Sequence, residues 1–285
     1  MRLKDAKRMG ARVLDCWRVL HKGGGPISFR VGRAVVGGEE PLVIAGPCSV
    51  ENPDMILETA ATLKQILVDR LGFSNVILRG GAWKPRTSPY SFQGHGEKAL
   101  EWLREAGDKT GLPVMTEVMD PRDVGTAAEY VDAIWVGARN MQNTPLLKEL
   151  AKAGKPVFLK RHFGSTINEW LCSAEYLLAD GLEEVALIER GIRCINEYAR
   201  FSLDITVVPV VKEVSRLPII VDVSHPAGRR SLVPWLARAA LAAGAHGIMV
   251  EVHPRPDEAL SDAKQQLDFR MFETMVKELR EMGLL

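Results

Sequence analysis

The sequence predicts a (β/α)8 TIM barrel. Three observations carry that expectation. Short runs rich in Val and Ile recur eight times, each is followed by a longer segment of helical period, and no G-x-G-x-x-G turn follows the first run. The missing dinucleotide turn counts against the runner-up, an open doubly wound sheet. A chain of 285 residues, 46% hydrophobic and 26% charged, has the size and composition of one globular barrel. The formal net charge of +1 argues against bulk nucleic-acid binding, so an anion site must be a local concentration of cations. The apolar runs are too short to span a bilayer, which argues against a membrane partner. The four cysteines, Cys16, Cys48, Cys172 and Cys194, form no C-x-x-C pair, and no secretory segment is evident. They read as reduced thiols of a cytoplasmic protein.

In chain order, residues 1–40 form an extension and residues 41–285 the barrel, with no separate regulatory domain expected. In the first 25 residues, Arg2, Lys4, Lys7, Arg8, Arg12 and Arg18 interleave with Leu3, Val13, Leu14, Trp17 and Leu20. That spacing predicts a basic amphipathic helix, docked on the body or on a neighbouring subunit. A small hairpin closed by Gly37-Gly38 is expected over about 27–40. The eight runs then fall at 42–45, 76–78, 114–116, 133–136, 157–159, 185–188, 219–221 and 247–250. Helical segments are expected near 53–70, 96–110, 121–130, 144–153, 167–179, 196–214, 229–243 and 267–282.

A barrel builds its site from the C-terminal ends of its strands. Here those positions hold Cys48, Arg79, Glu117, Arg139, Lys160 with Arg161, Arg190, His225, and Glu251 with His253. Cations end four of the eight strands in a nearly neutral protein. After the second strand, Arg79, Lys84 and Arg86 crowd into eight residues of a loop stiffened by Pro85 and Pro89. Closing the barrel brings Arg79, Lys84, Arg139, Lys160 and Arg190 around one mouth, where mutual repulsion calls for a ligand with more than one acidic group. A second set, Cys48, His225, Glu251 and Asp262, has the donors of a borderline divalent metal acting as a Lewis acid. Each has a plainer reading: Cys48 as a packed thiol, His225 as a core histidine, Asp262 as a helix N-cap. His95, His162 and His253 are further candidates.

These residues sit in motifs that resemble the 3-deoxy-D-arabino-heptulosonate 7-phosphate (DAHP) synthases, in particular the short type I beta subfamily related to 3-deoxy-manno-octulosonate 8-phosphate (KDO8P) synthases. The carriers run from about residue 40 to the end: Ala45-Gly46-Pro47-Cys48-Ser49-Val50-Glu51, the 79–94 loop, Thr116-Glu117-Val118-Met119-Asp120, Gly137-Ala138-Arg139-Asn140-Met141-Gln142-Asn143, Leu159-Lys160-Arg161, Glu189-Arg190-Gly191-Ile192-Arg193, Ser224-His225-Pro226-Ala227-Gly228-Arg229, Glu251-Val252-His253-Pro254 and Leu260-Ser261-Asp262. The resemblance implies a barrel that condenses phosphoenolpyruvate with erythrose 4-phosphate and releases phosphate, the first step of the shikimate pathway. It implies that Arg79, Lys84 and Lys160 face the phosphoenolpyruvate carboxylate and that Arg139 and Arg190 hold its phosphate. Lys84, Pro85, Arg86, Thr87 and Ser88 would take erythrose 4-phosphate, and Cys48, His225, Glu251 and Asp262 one divalent ion (Mn, Fe, Co or Zn). A homotetramer or homodimer is implied as well.

KDO8P synthases typically carry Lys-Ala-Asn-Arg-Ser-Ser where this chain has Lys84-Pro85-Arg86-Thr87-Ser88-Pro89, so Arg86 favours the four-carbon sugar. The chain departs from the pattern at His162, at Val223, and at Ala263-Lys264. In the implied mechanism the metal and Lys84 polarise the aldehyde. Lys84, with a pKa lowered by neighbouring cations, is the candidate acid, and Glu117 orients water or pairs with a cation. The competing readings are a KDO8P synthase, a metal-dependent aldolase, or a non-catalytic scaffold.

Overall fold

A parallel strand covered on both faces can be apolar along its whole length, and eight such strands close the barrel. The computed structural model describes residue 16, residues 18–20 and residues 26–285. The barrel strands are β3 (Leu42–Gly46), β4 (Val76–Arg79), β5 (Val114–Val118), β6 (Ala133–Val136), β7 (Val157–Lys160), β8 (Val185–Glu189), β9 (Ile219–Asp222) and β10 (Gly247–Glu251). Each is parallel to its neighbours, and β10 pairs with β3 from Gly247 opposite Leu42 to Glu251 opposite Gly46. Every residue of all eight is buried.

Helices separate the strands: α1 (Pro53–Lys64), α2 (Glu97–Thr110), α3 (Val124–Tyr130), α4 (Thr144–Ala153), α5 (Ile167–Ala179), α6 (Val207–Val214), α7 (Ser224–Ala227), α8 (Val233–Ala242) and α9 (Phe269–Glu281). Local chemistry sets several of their starts. Asn52 accepts from Met55 N at the head of α1, Thr166 and Glu169 make a reciprocal capping box on α5, and Asp268 accepts from Met271 N on α9. Beyond α1 the chain continues as a π-helical turn, Gln65–Arg70.

Two apolar cores result. The outer one lies between strands and helices. The inner one fills the barrel with Leu42, Ile44, Ile77, Met115, Trp135, Phe158 and Met249. Below it sits a hairpin, β1 (Phe29–Val31) and β2 (Ala34–Val36), whose Phe29, Val31, Ala34 and Val36 join the inner core. Its turn is at Gly32-Arg33, with Gly32 at φ +55°, rather than at the expected Gly37-Gly38. The basic helix expected within residues 1–25 lies outside the described residues, apart from residues 16 and 18–20.

Two other expectations are corrected. Of the helix expected over 196–214, only Val207–Val214 forms. The preceding segment is held open by pairing of Ile192 with Ser202 and by a bond from Phe201 N to Pro226 O. Cys16 and Cys172 are not free thiols but a disulfide, while Cys48 is free and buried and Cys194 free and exposed. Residues 18–20 then run from α5 to the turn after α6. Glu175 accepts from Arg18 N and Val19 N, and Val19 O accepts from Ser215 Oγ and Arg216 N. Among the described residues no helix is long and apolar enough to cross a membrane.

Candidate active site

Six of the barrel strands carry a charged side chain as their last or next-to-last residue, all at the same mouth: Arg79, Glu117, Lys160, Glu189, Asp222 and Glu251. The loop after β4 folds back on itself through a bridge between Trp83 and Gly94 and a bond from Lys84 N to Gln93 O. Thr116 fastens its base, accepting from Ala82 N and donating to Gly80 O. Across the mouth Arg139 donates to Pro85 O at 3.0 Å and approaches Thr87 Oγ1 at 3.4 Å. Between these walls lies a cavity of about 260 Å³ whose lining includes Lys84, Arg86, Arg139, Lys160, Arg190 and Arg200, against only two carboxylates, Glu117 and Asp262.

Lys84, Lys160 and Arg190 are buried, as is Arg79, while Arg139 and Arg200 are exposed. Arg79 is 1% exposed, and its Nε and Nη1 have no hydrogen-bond partner; Arg190 Nη1 is likewise orphaned. Such donors are costly to bury and mark a place where an acceptor belongs. Burial pulls the Arg190 pKa down to about 10, and burial together with Arg79 lowers that of Lys160 despite Asp222. Arg79 and Lys160 lie over the same ring, that of Trp135, at 4.8 and 5.7 Å from its centroid. Phe163 and Phe201 stack at 5.5 Å, and Arg190 sits 4.3 Å from the Phe201 ring centre.

Lys84 departs from expectation. Burial alone would lower its pKa, but Cys48, Glu117 and Glu251 outweigh both burial and Arg79, so the net shift is upward. Its Nζ donates to Cys48 O at 3.0 Å. The lysine is therefore held as the ammonium, with the carboxylates Glu117 and Glu251 beside it, rather than unsettled by cations. Glu117 is buried against Gly137, where a Cβ would come within 1.9 Å of Glu117 Oε1; only glycine leaves the carboxylate its place.

The soft and hard donors converge beside this cavity. Ligand atoms of Cys48, Glu251 and Asp262 lie within 4.8 Å of one another. His225 Nε2 is 3.6 Å from both Glu251 Oε1 and Asp262 Oδ2. On its other side His225 Nδ1 is 2.8 Å from Asp222 Oδ2, which turns the Nε2 lone pair toward the cluster. Burial holds the His225 pKa down, as a neutral ligand requires. Burial, then Glu251, pushes the Cys48 thiol up to about 12. Glu251 Oε1 is buried and accepts no hydrogen bond. Its nearest cation is Arg79, whose Nη2 lies 3.3 Å away, and a buried carboxylate oxygen without a hydrogen bond among thiol, imidazole and a second carboxylate has the donor chemistry of a divalent-cation site.

The plainer reading of Asp262 does not hold. Asp262 caps no helix and adopts φ +47°, alone among the described non-glycine residues in the left-handed region. Some expected residues have different partners. Lys160 Nζ already donates to Asp222 Oδ2 at 2.7 Å, and Arg161 is occupied by Glu189 and Asp204. His95 packs between Phe92 and Trp102, and His253 Nε2 lies 3.5 Å from Glu51, so neither joins the cluster. His162 accepts from Gly164 N, and Val223 is fully buried. The backbone oxygens of Ala263 and Lys264 accept from Arg230.

Asp222, Gln265 and Arg200 are absent from the sequence-based set. Asp222 had a signal, a carboxylate three residues before His225 at a strand end. The other two had none.

Known proteins resemble this chain along most of its length. The profile of the DAHP synthetase I family matches residues 25–284. A phospho-2-dehydro-3-deoxyheptonate aldolase of Thermotoga maritima is 52% identical over 253 residues, covering 89% of this chain and 73% of that protein. A 2-dehydro-3-deoxyphosphooctonate aldolase of Desulfosudis oleivorans is 32% identical over 259 residues, covering 86% of this chain and 91% of its own. Among solved structures, a truncated form of 3-deoxy-D-arabino-heptulosonate 7-phosphate synthase from Thermotoga maritima superposes with a TM-score of 0.85 at 45% identity, over 93% of this chain and 95% of that one.

Proposed function

The chain belongs to the DAHP synthetase I family, and from that premise we propose how its own residues carry out the condensation of phosphoenolpyruvate with erythrose 4-phosphate and water to DAHP and phosphate. The observation that carries the proposal is the cavity wall: six cationic side chains against two carboxylates, with buried guanidinium donors left unpartnered.

Arg79 and Lys160, fixed over Trp135, hold the phosphoenolpyruvate carboxylate together with Lys84, and Arg139 and Arg190 hold its phosphate. Arg86, with Thr87 and Ser88, takes the phosphate of erythrose 4-phosphate, while Lys84 and Pro85 line the path to its aldehyde. Binding both anions in one cavity converts a repulsive encounter into an oriented one. When the C3 carbon attacks the aldehyde, Lys84 Nζ delivers its proton to the new alkoxide. Glu117, across the cavity, orients the water that adds to C2 and takes its proton; loss of phosphate by C–O cleavage then leaves the ketone. Cys48, His225, Glu251 and Asp262 would hold one divalent ion (Mn, Fe, Co or Zn), which when bound supplies Lewis acidity to the aldehyde oxygen. The proposal includes a cytoplasmic homotetramer or homodimer, whose mass light scattering on the purified chain would give.

The test is phosphate release from phosphoenolpyruvate by metal-stripped protein, with erythrose 4-phosphate or arabinose 5-phosphate, before and after adding manganese or zinc. Release only with the four-carbon sugar and only with metal is expected. Release that persists without metal would remove the ligand set from the mechanism, and preference for arabinose 5-phosphate would show that Arg86 does not select the shorter sugar.

A further inference from the structure

Glu251 offers two oxygens, and they are not equivalent. Oε2 accepts a hydrogen bond from Gln265 Nε2 at 2.7 Å, while Oε1 accepts none. The same amide nitrogen lies 3.4 Å from Asp262 Oδ2. Gln265 is 2% exposed, so one buried amide braces both carboxylates of the cluster from behind. Its own oxygen is occupied in turn: Gln265 Oε1 accepts from Arg200 Nη1 at 3.1 Å. Arg200 belongs to the cavity wall, and its Nη1 also lies 3.4 Å from Asp262 Oδ2.

Asp262 Oδ2 is therefore contested. It is 3.6 Å from Cys48 Sγ and from His225 Nε2, on the side where a metal belongs, and it faces a guanidinium on the other. A fixed positive charge at that distance weakens the hold of the same oxygen on a cation. The segment carrying Arg200 is not loose. It packs on α7, which bears His225, through Phe201 N to Pro226 O and through Gly228, where a Cβ would fall 2.5 Å from Arg200 Cβ. What can move is the guanidinium, about a third exposed, with Arg86, Ser88 and Ser91 lining the same cavity.

We propose that Gln265 and Arg200 are positioning residues forming a relay between the metal carboxylates and the sugar-phosphate side of the cavity. Gln265 fixes which oxygen Glu251 presents to the metal. Arg200 holds Asp262 while the cavity is empty and turns to a sugar phosphate when one binds, which frees Asp262 Oδ2. Metal and sugar phosphate thus strengthen each other's binding, and by linkage the coupling is the same in both directions. The relay rests on the metal and substrate reading given above.

The experiment titrates metal-free protein with cobalt(II) and follows the thiolate-to-cobalt absorption from Cys48, with and without erythritol 4-phosphate. That probe keeps the phosphate but has no aldehyde to touch the metal. In the wild type the sugar phosphate should tighten cobalt binding by about tenfold. Arg200→Met should bind cobalt more tightly than wild type in the empty state and lose the response, while Arg200→Lys should recover part of it. Gln265→Met should weaken cobalt binding by about 10–100-fold and alter the absorption band. An absorption band of wild-type strength with no response to erythritol 4-phosphate overturns the relay alone. A response that survives in Arg200→Met does the same. Absence of any band in the wild type overturns the metal reading and the relay with it.

Discussion

The same eight strands end in opposite ways. At their N-terminal ends Phe29, Val31, Ala34 and Val36 of the hairpin close the barrel with side chains that ask only to be covered. At their C-terminal ends Arg79, Lys160 and Arg190 are buried almost as deeply, yet several of their donors have no partner. One end is complete as folded; the other is completed by what binds. A substitution at the first end should therefore act on stability, and at the second on function.

The largest expected effect is at the mouth. Lys84→Met should lower turnover by about 10³-fold, roughly 4 kcal/mol of transition-state stabilisation, with little change in the denaturant midpoint. Near-normal turnover would remove Lys84 from the acid role. At the closed end Phe158, which meets Phe29 edge to face at 6.1 Å, should cost about 3–5 kcal/mol of stability as Phe158→Ala. The folded fraction should keep its Michaelis constant for phosphoenolpyruvate, and a raised value would mean that the two ends are coupled.

Next is the ligand itself. Phosphoenolpyruvate at a hundred times its dissociation constant should stabilise the chain by about 2.7 kcal/mol, read as a rise in melting temperature. Phe158→Ala should retain that increment and Arg190→Met should lose most of it. The smallest effect is acid sensitivity. Burial would raise the Asp222 pKa, but His225 and Lys160 outweigh it and hold the carboxyl well below its usual range. A depressed folded-state pKa gives stability that is complete above the unfolded value of about 4 and is lost as pH falls from there through the folded value. Asp222→Asn should flatten the stability–pH curve in that window; an unchanged slope would discard the link.

The two ends also differed in how plainly the sequence spoke. Strands were legible because burial on both faces makes runs such as Val76-Ile77-Leu78 continuously apolar. For the same reason apolar periodicity stopped short of Arg79, Glu189 and Asp222, which belong to the strands but carry charge. The metal donors were legible by residue type, and the motifs placed them together. Gln265 was not, since a neutral amide has no distinguishing chemistry until the carboxylate it braces is in view. Nor was the open segment before α6, because residues 196–206 have helical spacing and are shaped instead by docking on Pro226 and Gly228. The upward shift of Lys84 was misjudged because the loop shows its cations in sequence, whereas Glu117 and Glu251 arrive only in space.

The bond between Cys16 and Cys172 gives the chain the connectivity of a lasso. Residues 16–172 form a covalent ring that holds the hairpin and β3 to β7, while β8 to β10 and the last helices hang from it as a tail. Pulled from the C-terminus, as by a processive unfoldase, the tail with its Glu251 and Asp262 would peel away first, and the ring would then present itself as a doubled strand at the pore. Whether the thiols are joined thus decides whether the molecule can be threaded to its beginning, quite apart from how stably it is folded.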